Sequence, residues 1–366
     1  MSFHLTRLFL KDFRNYAGAE IFLDEQITVL VGPNAAGKTN AIEAIQLVTA
    51  AESFRKPPWS ELVRWGADRA RVLLEASGGE RELELELQVD REGERLFKVN
   101  GAKKRRLIDV RGIIPSVAFT PDDLRMIKGS AERRRDTIDS VGQQISPAYG
   151  ALRREYGRVL RQRNAVLKDP STPGIDEWSE RLVDTGARLA AHRMRLLARL
   201  AGEAKGIHSA MSSGQALGIT YVGSWGDAAE EPGVEQEVAP IGDAMTRRIS
   251  ETETEERARG VTLVGPHRDD ILFSLGGHSA RAFASQGQQR TIALAVKLAE
   301  VEVVRDLAAS PPVLLLDDVM SELDEARRAE LTKFVGGWAQ TVVTTTNIHY
   351  FGDEVLGEAA VIEVGG

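Results

Sequence analysis

The sequence predicts an α/β fold that carries a mostly helical arm, on three observations. Near the N-terminus, the apolar, β-branched run at residues 27–31 precedes a glycine-rich loop and then apolar residues at helical spacing. Near the C-terminus, the apolar run at residues 313–316 leads into two acids. Between them, residues 131–168 and 175–200 have the spacing of two helices joined by a short turn. Such a pair makes an antiparallel arm.

The remaining elements follow from local patterns. Leucines at alternate positions between residues 83 and 89 predict a strand with one buried face, and Asn100-Gly101 predicts a hairpin turn. Pro147 and Gly150 are expected to break or kink the first arm helix. Further strands are predicted at residues 3–10, 21–23, 117–119, 261–264 and 341–347, a loop-rich passage at 212–242, and helices at 40–50, 243–259 and after residue 290.

Composition limits the class of protein. The 366 residues, of which 42% are hydrophobic, suffice for a large core and two domains. The chain has no cysteine, which excludes disulfides, thiolate metal sites and a cysteine nucleophile. Because the sequence has no secretory signal pattern and no apolar stretch long enough to cross a bilayer, we expect a cytoplasmic protein with no membrane partner.

The net charge of −7 is unevenly distributed. Taken alone, it argues mildly against nucleic-acid binding. Acidic residues concentrate at 227–237 and 251–256, and basic runs occur at 103–106 and 133–135. Five arginines crowd one arm segment: Arg153, Arg154, Arg158, Arg161 and Arg163. The run at 103–106 is either a solvated hairpin tip or a phosphate contact, and the sequence leaves both interpretations open.

The glycine-rich loop fits the pattern G-x-x-x-x-G-K-[ST] between a strand and a helix, the context that a phosphate-binding loop requires. Its residues are Gly32, Pro33, Asn34, Ala35, Ala36, Gly37, Lys38 and Thr39, followed by Asn40 in the helix. The glycines let backbone N–H groups point at phosphate oxygens, and the helix directs its positive dipole end to the same place. Lys38 is expected to reach the β- and γ-phosphates, and the Thr39 hydroxyl to bind Mg²⁺.

The two acids that end the second apolar strand complete this site. Asp317 is expected to bind magnesium opposite Thr39, directly or through water. Asp318 is expected to face the γ-phosphate and to orient or deprotonate the attacking water. Lys38, Asp317 and Asp318 are therefore the predicted catalytic residues, and ATP with Mg²⁺ the predicted cofactors.

A second anion site is predicted at Ser285-Gln286-Gly287-Gln288-Gln289, a small polar turn at the start of a helix. One chain does not need two such sites for one γ-phosphate. Two chains arranged head to tail do, because each then contributes its phosphate loop to one nucleotide and its Ser285 turn to the other. The Ser285 turn is accordingly predicted to contact the nucleotide of a second copy.

Together these motifs resemble the ABC ATPases and, in detail, the RecF family of bacterial recombination mediators. The motifs that carry the resemblance are Asp12-Phe13-Arg14-Asn15-Tyr16, Gly265-Pro266-His267-Arg268-Asp269-Asp270, Ser285-Gln286-Gly287-Gln288-Gln289-Arg290, Leu316-Asp317-Asp318-Val319 and Ser321-Glu322-Leu323-Asp324. The resemblance implies an ATPase head of the SMC and ABC type, formed by residues 1–120 and 261–366, with a helical arm domain inserted at 121–260.

The resemblance also implies a function. It implies an ATP-dependent homodimer that closes around DNA, a weak DNA-stimulated ATPase, and a role at single-strand gaps with RecO and RecR in placing RecA. Carried over by motif, Arg14 becomes a nucleotide contact, and Asp324 lies in the loop that crosses the dimer interface. The resemblance likewise implies that Ser285 and Gly287, with Gln288 beside them, contact the γ-phosphate bound to the second copy. The DNA-contact residues and the partner surface are not implied.

Three departures from the family pattern affect the expected chemistry. ABC enzymes usually have glutamate where this chain has Asp318, so we expect either slow hydrolysis or a less tightly positioned water. The usual glutamine ligand is missing, and Asp122 or Asp123 is expected to replace it. Thr346 or Asn347 stands where a switch histidine is expected.

Three other classes share the phosphate loop. A transporter motor subunit would need a transmembrane partner, an SMC-type structural ATPase would need a far longer coiled coil, and a metabolic kinase would leave the Ser285 turn unexplained.

Overall fold

The computed structural model describes residues 3–169, 171–212, 214–226, 229–230, 233, 237–308, 310–335 and 340–365. The chain forms two compact units, one comprising Met1–Leu124 with Glu300–Gly366 and the other comprising Arg125–Ala299. The second unit begins near the boundary predicted at residue 121, but it continues beyond residue 260, where the sequence placed its end.

The elements are numbered in chain order. The strands are β1 (His4–Phe13), β2 (Tyr16–Phe22), β3 (Ile27–Val31), β4 (Arg69–Gly78), β5 (Arg81–Asp90), β6 (Arg95–Val99), β7 (Ala102–Lys104), β8 (Ser116–Phe119), β9 (Leu217–Val222), β10 (Ala229–Glu230), β11 (Asp270–Leu275), β12 (His278–Ser279), β13 (Val313–Asp317), β14 (Thr341–Thr345) and β15 (Ala359–Glu363). The helices are α1 (Lys38–Thr49), α2 (Ala131–Ile145), α3 (Pro147–Lys168), α4 (Ile175–Met211), α5 (Val238–Arg259), α6 (Ala280–Phe283), α7 (Gln286–Leu307), α8 (Glu325–Val335) and α9 (Asp353–Glu358).

A five-stranded sheet in the first unit carries the glycine-rich loop and the two acids. Its order is β15-β3-β14-β13-β8, and its paired strands run parallel. β13 and β14 are buried along their whole length, which explains why their sequences are continuous runs without polar alternation. Because the carboxyl ends of parallel strands meet at one edge, the ends of β3, β14 and β13 come together there.

A six-stranded antiparallel sheet, in the order β2-β1-β4-β5-β6-β7, belongs to the same unit. The predicted strand at residues 83–89 is confirmed as β5, whose leucines pack in the core with α1. The predicted hairpin turn is also confirmed, because Val99 pairs with Ala102 and both Asn100 and Gly101 have positive φ, at 49° and 75°.

The second unit contains the predicted antiparallel helices, except that Gly150 does not break the first of them. α3 and α4 run antiparallel: Arg153 and Arg193 bind the same carboxylate, while Arg163, further along α3, binds Ser179 near the start of α4. The predicted break at Pro147 is confirmed by the end of α2 at Ile145, but Gly150 lies inside α3. Proline is tolerated there because the first helical turn needs no N–H donor from it.

Two predictions in the second unit are wrong: the strand at residues 261–264 and the absence of a strand from the loop-rich passage at 212–242. Residues 261–264 do not form a strand; Thr262 instead bonds through its N–H and its hydroxyl to the side chain of Asn164. The passage at 212–242 contains β9, which pairs antiparallel with β11, so the segment that follows residue 260 packs within the second unit. Residues 227–228, 231–232 and 234–236 of that passage lie outside the described residues.

Among the helices that the structure describes, none combines the length and the apolar character that crossing a bilayer requires.

Candidate nucleotide-binding site

The glycine-rich loop lies between β3 and α1, as its motif requires. Gly37 caps α1 with a φ of 110°, a conformation that residues with a side chain rarely adopt. A Cβ at Gly37 would approach the side-chain amide of Asn15 to 2.7 Å, and one at Gly32 would approach the carbonyl oxygen of Val364 to 2.3 Å. Both motif glycines are therefore required by conformation or by space.

Lys38 is the first residue of α1, and its ammonium group folds back over the loop. Its Nζ donates to the carbonyl oxygens of Gly32 (2.7 Å) and Pro33 (2.8 Å). The side chain is buried, so these bonds fix the amine inside the loop. The tip of the loop, from Pro33 to Ala35, is exposed.

The turn between β1 and β2 supports the loop from outside. Asn15 Nδ2 donates to the carbonyl oxygen of Ala36 (3.2 Å), and Tyr16 OH donates to that of Gly37 (3.0 Å). Asn40 Nδ2 donates to Asn15 Oδ1 at 2.7 Å. Neither Asn15 nor Tyr16 was assigned a role from the sequence, although both lie in the motif Asp12-Phe13-Arg14-Asn15-Tyr16.

Arg14 lies in the same turn, but its guanidinium is bound to a carboxylate. Its Nε and one terminal nitrogen donate to the two oxygens of Glu43 at 3.0 and 2.9 Å, and another nitrogen donates to the carbonyl oxygen of Glu61. The two-pronged pair fixes Arg14 against α1. Its predicted nucleotide contact stays a prediction.

Glu43 is a buried carboxylate on α1 that joins several groups beside the loop. It accepts from Ser53 Oγ (2.6 Å) and from Arg55 (3.3 Å) in addition to Arg14. The guanidinium of Arg55 also donates to Asn40 Oδ1 at 2.7 Å. Nothing in the glycine-rich motif itself indicates this cluster, because its members are spread from residue 14 to residue 55.

Asp317, at the end of β13, lies beside the start of α1. Its Oδ1 accepts from Thr39 Oγ1 (2.7 Å) and from Thr344 Oγ1 (2.9 Å). The structure thus brings together Thr39 and Asp317, as the sequence predicted. It adds Thr344, on the intervening strand β14, which sequence analysis missed.

Asp318 follows with a φ of 49°, in the left-handed region. Its N–H donates to the hydroxyl of Thr344 (2.9 Å), and its Oδ1 is buried without a hydrogen-bond partner among the described residues. Burial raises the pKa of Asp318 above its ordinary value, the charge of Asp317 raises it further, and Lys38 opposes both. A raised pKa suits a carboxylate that takes a proton from water.

Thr39 and Asp317 fit a magnesium site by the chemistry of their donors. Mg²⁺ prefers oxygen ligands and usually combines one or two carboxylates with substrate phosphates and waters. Within the described ranges, no group of three or more His, Asp or Glu side chains is placed to hold a metal ion. A metal here would therefore take its other ligands from phosphate and water.

The predicted second anion site is the N-terminus of α7. Ser285 Oγ accepts from the N–H of Gln288 (3.2 Å), and Gln288 Oε1 accepts from the N–H of Ser285 (2.8 Å), which is a capping box. Both side chains are exposed. Because a helix leaves its first N–H groups without internal partners, those of Gln286 and Gly287 have no partner within α7.

The other predicted residues have local structural partners. Asp324 caps α8, since its Oδ1 accepts from the N–H of Arg327 at 3.0 Å. Asp123 accepts from the N–H and the hydroxyl of Thr120, at 2.8 and 2.9 Å. Asn347 accepts from the N–H of His349 at 3.0 Å, and Thr346 is exposed. Their roles toward nucleotide stay predictions.

Comparison with known proteins agrees with this geometry. The chain matches the family described as RecF/RecN/SMC N terminal domain over residues 4–355. It is 39% identical to the DNA replication and repair protein RecF of Synechococcus sp. (strain JA-2-3B'a(2-13)), over 99% of this chain and 96% of that protein. It is 34% identical to the protein of the same name from Bacillus subtilis (strain 168), over 99% of this chain and 98% of that protein.

A solved structure extends the similarity to three dimensions. The structure described as the recombination mediator protein RecF-ATP in the RecFOR pathway superposes with a TM-score of 0.89 at 30% identity, covering 100% of this chain and 97% of that one. The predicted SMC and ABC ATPase head fold is thereby confirmed. The chain belongs to the RecF family of DNA replication and repair proteins.

Proposed function

We propose that this protein is an ATP-dependent DNA-binding protein of recombinational repair. ATP binding drives its head-to-tail dimerisation on DNA, and slow hydrolysis releases it. The observation that carries the proposal is a set of hydrogen bonds beside the phosphate loop: Asp317 accepts from Thr39 and Thr344, and the hydroxyl of Thr344 accepts from the N–H of Asp318. The relative solved with ATP supports the choice of nucleotide.

Phosphate binding to the loop requires Lys38 to change its hydrogen-bond partners. The ammonium of Lys38 leaves the carbonyl oxygens of Gly32 and Pro33 for the β- and γ-phosphates. Backbone N–H groups of the loop and the N-terminus of α1 face the same oxygens. Thr39 and Asp317 would hold Mg²⁺, which would neutralise part of the phosphate charge.

Asp318 supplies the base for hydrolysis. A water oxygen attacks the γ-phosphorus and loses a proton to Asp318, while the bond from the γ-phosphorus to the β–γ bridging oxygen breaks and ADP leaves with that electron pair. Asp318 Oδ1 has no hydrogen-bond partner among the described residues, so it can accept a hydrogen bond from water, which supports this role. Aspartate reaches less far than glutamate, which accords with slow turnover.

The Ser285 turn belongs to the nucleotide site of a second copy. Its exposed cap, at the N-terminus of α7, suits a γ-phosphate brought by another chain. The dimer is proposed to act at junctions of single- and double-stranded DNA in the cytoplasm, with RecR and RecO as partners. The RecFOR pathway named for the solved relative supports that choice.

The proposal is tested by the mass of the protein in solution, measured by light scattering with and without ATP and Mg²⁺ at moderate salt. A shift from monomer to dimer only with ATP is expected, and Lys38→Met should abolish it and the retention of DNA. A Lys38→Met protein that still dimerises with ATP would contradict the proposal.

A further inference from the structure

Helix α3 carries an exposed row of cations. Arg154, Arg158, Arg161 and Lys168 are all exposed, and their spacing of four, three and seven residues places them on one face. The opposite face is buried through Leu152, Tyr156, Val159 and others. We call these four residues the basic stripe.

The two other arginines of this segment have a structural function. Arg163 is 1% exposed and donates to Glu256 at 2.6 Å, and Arg153 donates to the buried carboxylate of Asp139 at 2.8 Å. The arginine cluster seen in the sequence therefore divides into two groups. One group holds the unit together, and the other faces solvent.

The stripe lacks acidic partners in the described part of the chain. None of its four residues forms an ion pair there. Glu155 is the exposed acid within α3, and the carboxylate of Asp169, just beyond the helix, accepts from Ser171 and Thr172.

Helix α5 shows the contrasting arrangement. Its arginines Arg248, Arg257 and Arg259 pair with glutamates three or four residues away, at 3.0, 2.8 and 2.7 Å. An exposed helix that serves only to be solvated commonly has such pairs, which relieve repulsion between like charges. In α3 no such pairs relieve the repulsion among the four cations of the basic stripe. The chain as a whole is acidic, with a net charge of −7, so the concentration of positive charge on this helix is unusual within it.

We propose that the basic stripe binds the phosphate backbone of DNA. Four cations over 14 residues span roughly 21 Å at 1.5 Å per residue. One DNA strand presents a phosphate about every 3.4 Å along the axis, so the stripe covers several phosphates. Guanidinium groups form bidentate hydrogen bonds with phosphate. Such contacts to the backbone do not depend on the base sequence. This inference rests on the proposed DNA-binding function and names the surface that performs it.

The test is the salt dependence of binding to a duplex that contains a single-strand gap. The variant Arg154→Gln/Arg158→Gln/Arg161→Gln is compared with the wild-type chain by fluorescence anisotropy, with ATP present, between 50 and 200 mM salt. Each lost phosphate contact lowers the slope of log affinity against log salt by about 0.9, so the slope should fall by about 2 to 3 and the affinity by at least tenfold at low salt. Thermal unfolding should be unchanged, because no described partner is lost.

The matched control is Arg248→Gln/Arg257→Gln/Arg259→Gln, which removes the same charge from the same unit. The proposal expects its slope to equal that of the wild type. An equal loss of slope in both variants would show an effect of net charge alone and would overturn the proposal, as would a stripe variant that binds like the wild type. A wild-type protein that binds no DNA would instead overturn the proposed function and the stripe with it.

Discussion

Thr344 offers the sharpest test of how the two acids are positioned. Its hydroxyl donates to Asp317 Oδ1 and accepts from the N–H of Asp318, both at 2.9 Å, and the residue is fully buried. The substitution Thr344→Val keeps the shape of the side chain and removes both bonds. Asp317 then retains Thr39 as a hydrogen-bond donor, and the N–H of Asp318 retains the carbonyl oxygen of Thr344 at 3.2 Å.

The magnitude follows from the charge of one partner. A hydrogen bond to a charged group contributes about 1.5–3 kcal/mol. If that free energy is lost from the transition state of hydrolysis, the single-turnover rate falls about 10- to 150-fold, at 1.36 kcal/mol per factor of ten. Measurement of phosphate release from ATP in single-turnover conditions checks the rate, and urea unfolding checks the stability.

Thr345→Val is the matched control. Thr345 is the next residue of β14 and equally buried, but its hydroxyl bonds to the backbone of Asn347, at 3.0 Å in both directions. Both variants should lose stability, and only Thr344→Val should lose most of its hydrolysis. Equal rates of hydrolysis in the two variants would refute the positioning argument.

Three further predictions follow from the same structure. Ser285→Arg should leave nucleotide binding by the monomer intact and block ATP-dependent dimerisation, measured by light scattering; dimers formed at wild-type ATP concentrations would contradict it. Asp318→Asn should trap the ATP-bound dimer. Because the pKa of Asp318 is raised, wild-type hydrolysis should decline as pH falls through a value above the ordinary aspartate range, and the variant should lack that limb; unchanged hydrolysis would remove Asp318 from the mechanism. Arg163→Met should cost about 3–5 kcal/mol of unfolding free energy, because it leaves Glu256 buried without its partner, and Arg163→Met/Glu256→Met should recover most of it.

The sequence predicts those parts of the fold whose residues carry a periodic pattern. β5 alternates and is half buried, and β13 is a continuous apolar run in the middle of a parallel sheet. The run at 261–264 has the composition of a strand but lacks a strand partner, because Asn164, about 100 residues earlier, binds the backbone of Thr262. Nothing local to Thr262 indicates that contact.

The opposite error occurred at β9. Leu217, Ile219 and Tyr221 alternate with less buried residues, so a signal was present. It is short and lies in a glycine-rich, acidic passage that suggested loop. Its partner strand, β11, begins 48 residues after β9 ends, by the difference between Val222 and Asp270. Pairing over such a separation is set by tertiary packing and not by local propensity.

Similar reasoning separates the predicted from the missed residues of the site. The predicted residues belong to motifs whose residue types and spacing indicate a chemical role; they are Lys38, Thr39, Asp317 and Asp318. Thr344 acquires its role only because β14 lies between β3 and β13, an order that the sequence does not display.

The backbone at Asp318 explains why aspartate suits this position although glutamate reaches further. The residue is held in the left-handed region by bonds at both of its backbone groups, from its N–H to Thr344 and from Ser321 Oγ to its carbonyl oxygen at 2.8 Å. That region costs roughly 1–2 kcal/mol for most residues and is better tolerated by aspartate and asparagine. The site therefore combines a conformation that favours the shorter acid with a carboxyl group whose pKa is raised and whose buried Oδ1 has no hydrogen-bond partner among the described residues. For the proposed role of Asp318 as the base, this geometry gives a group that is fixed in place but limited in reach, which favours slow turnover of ATP.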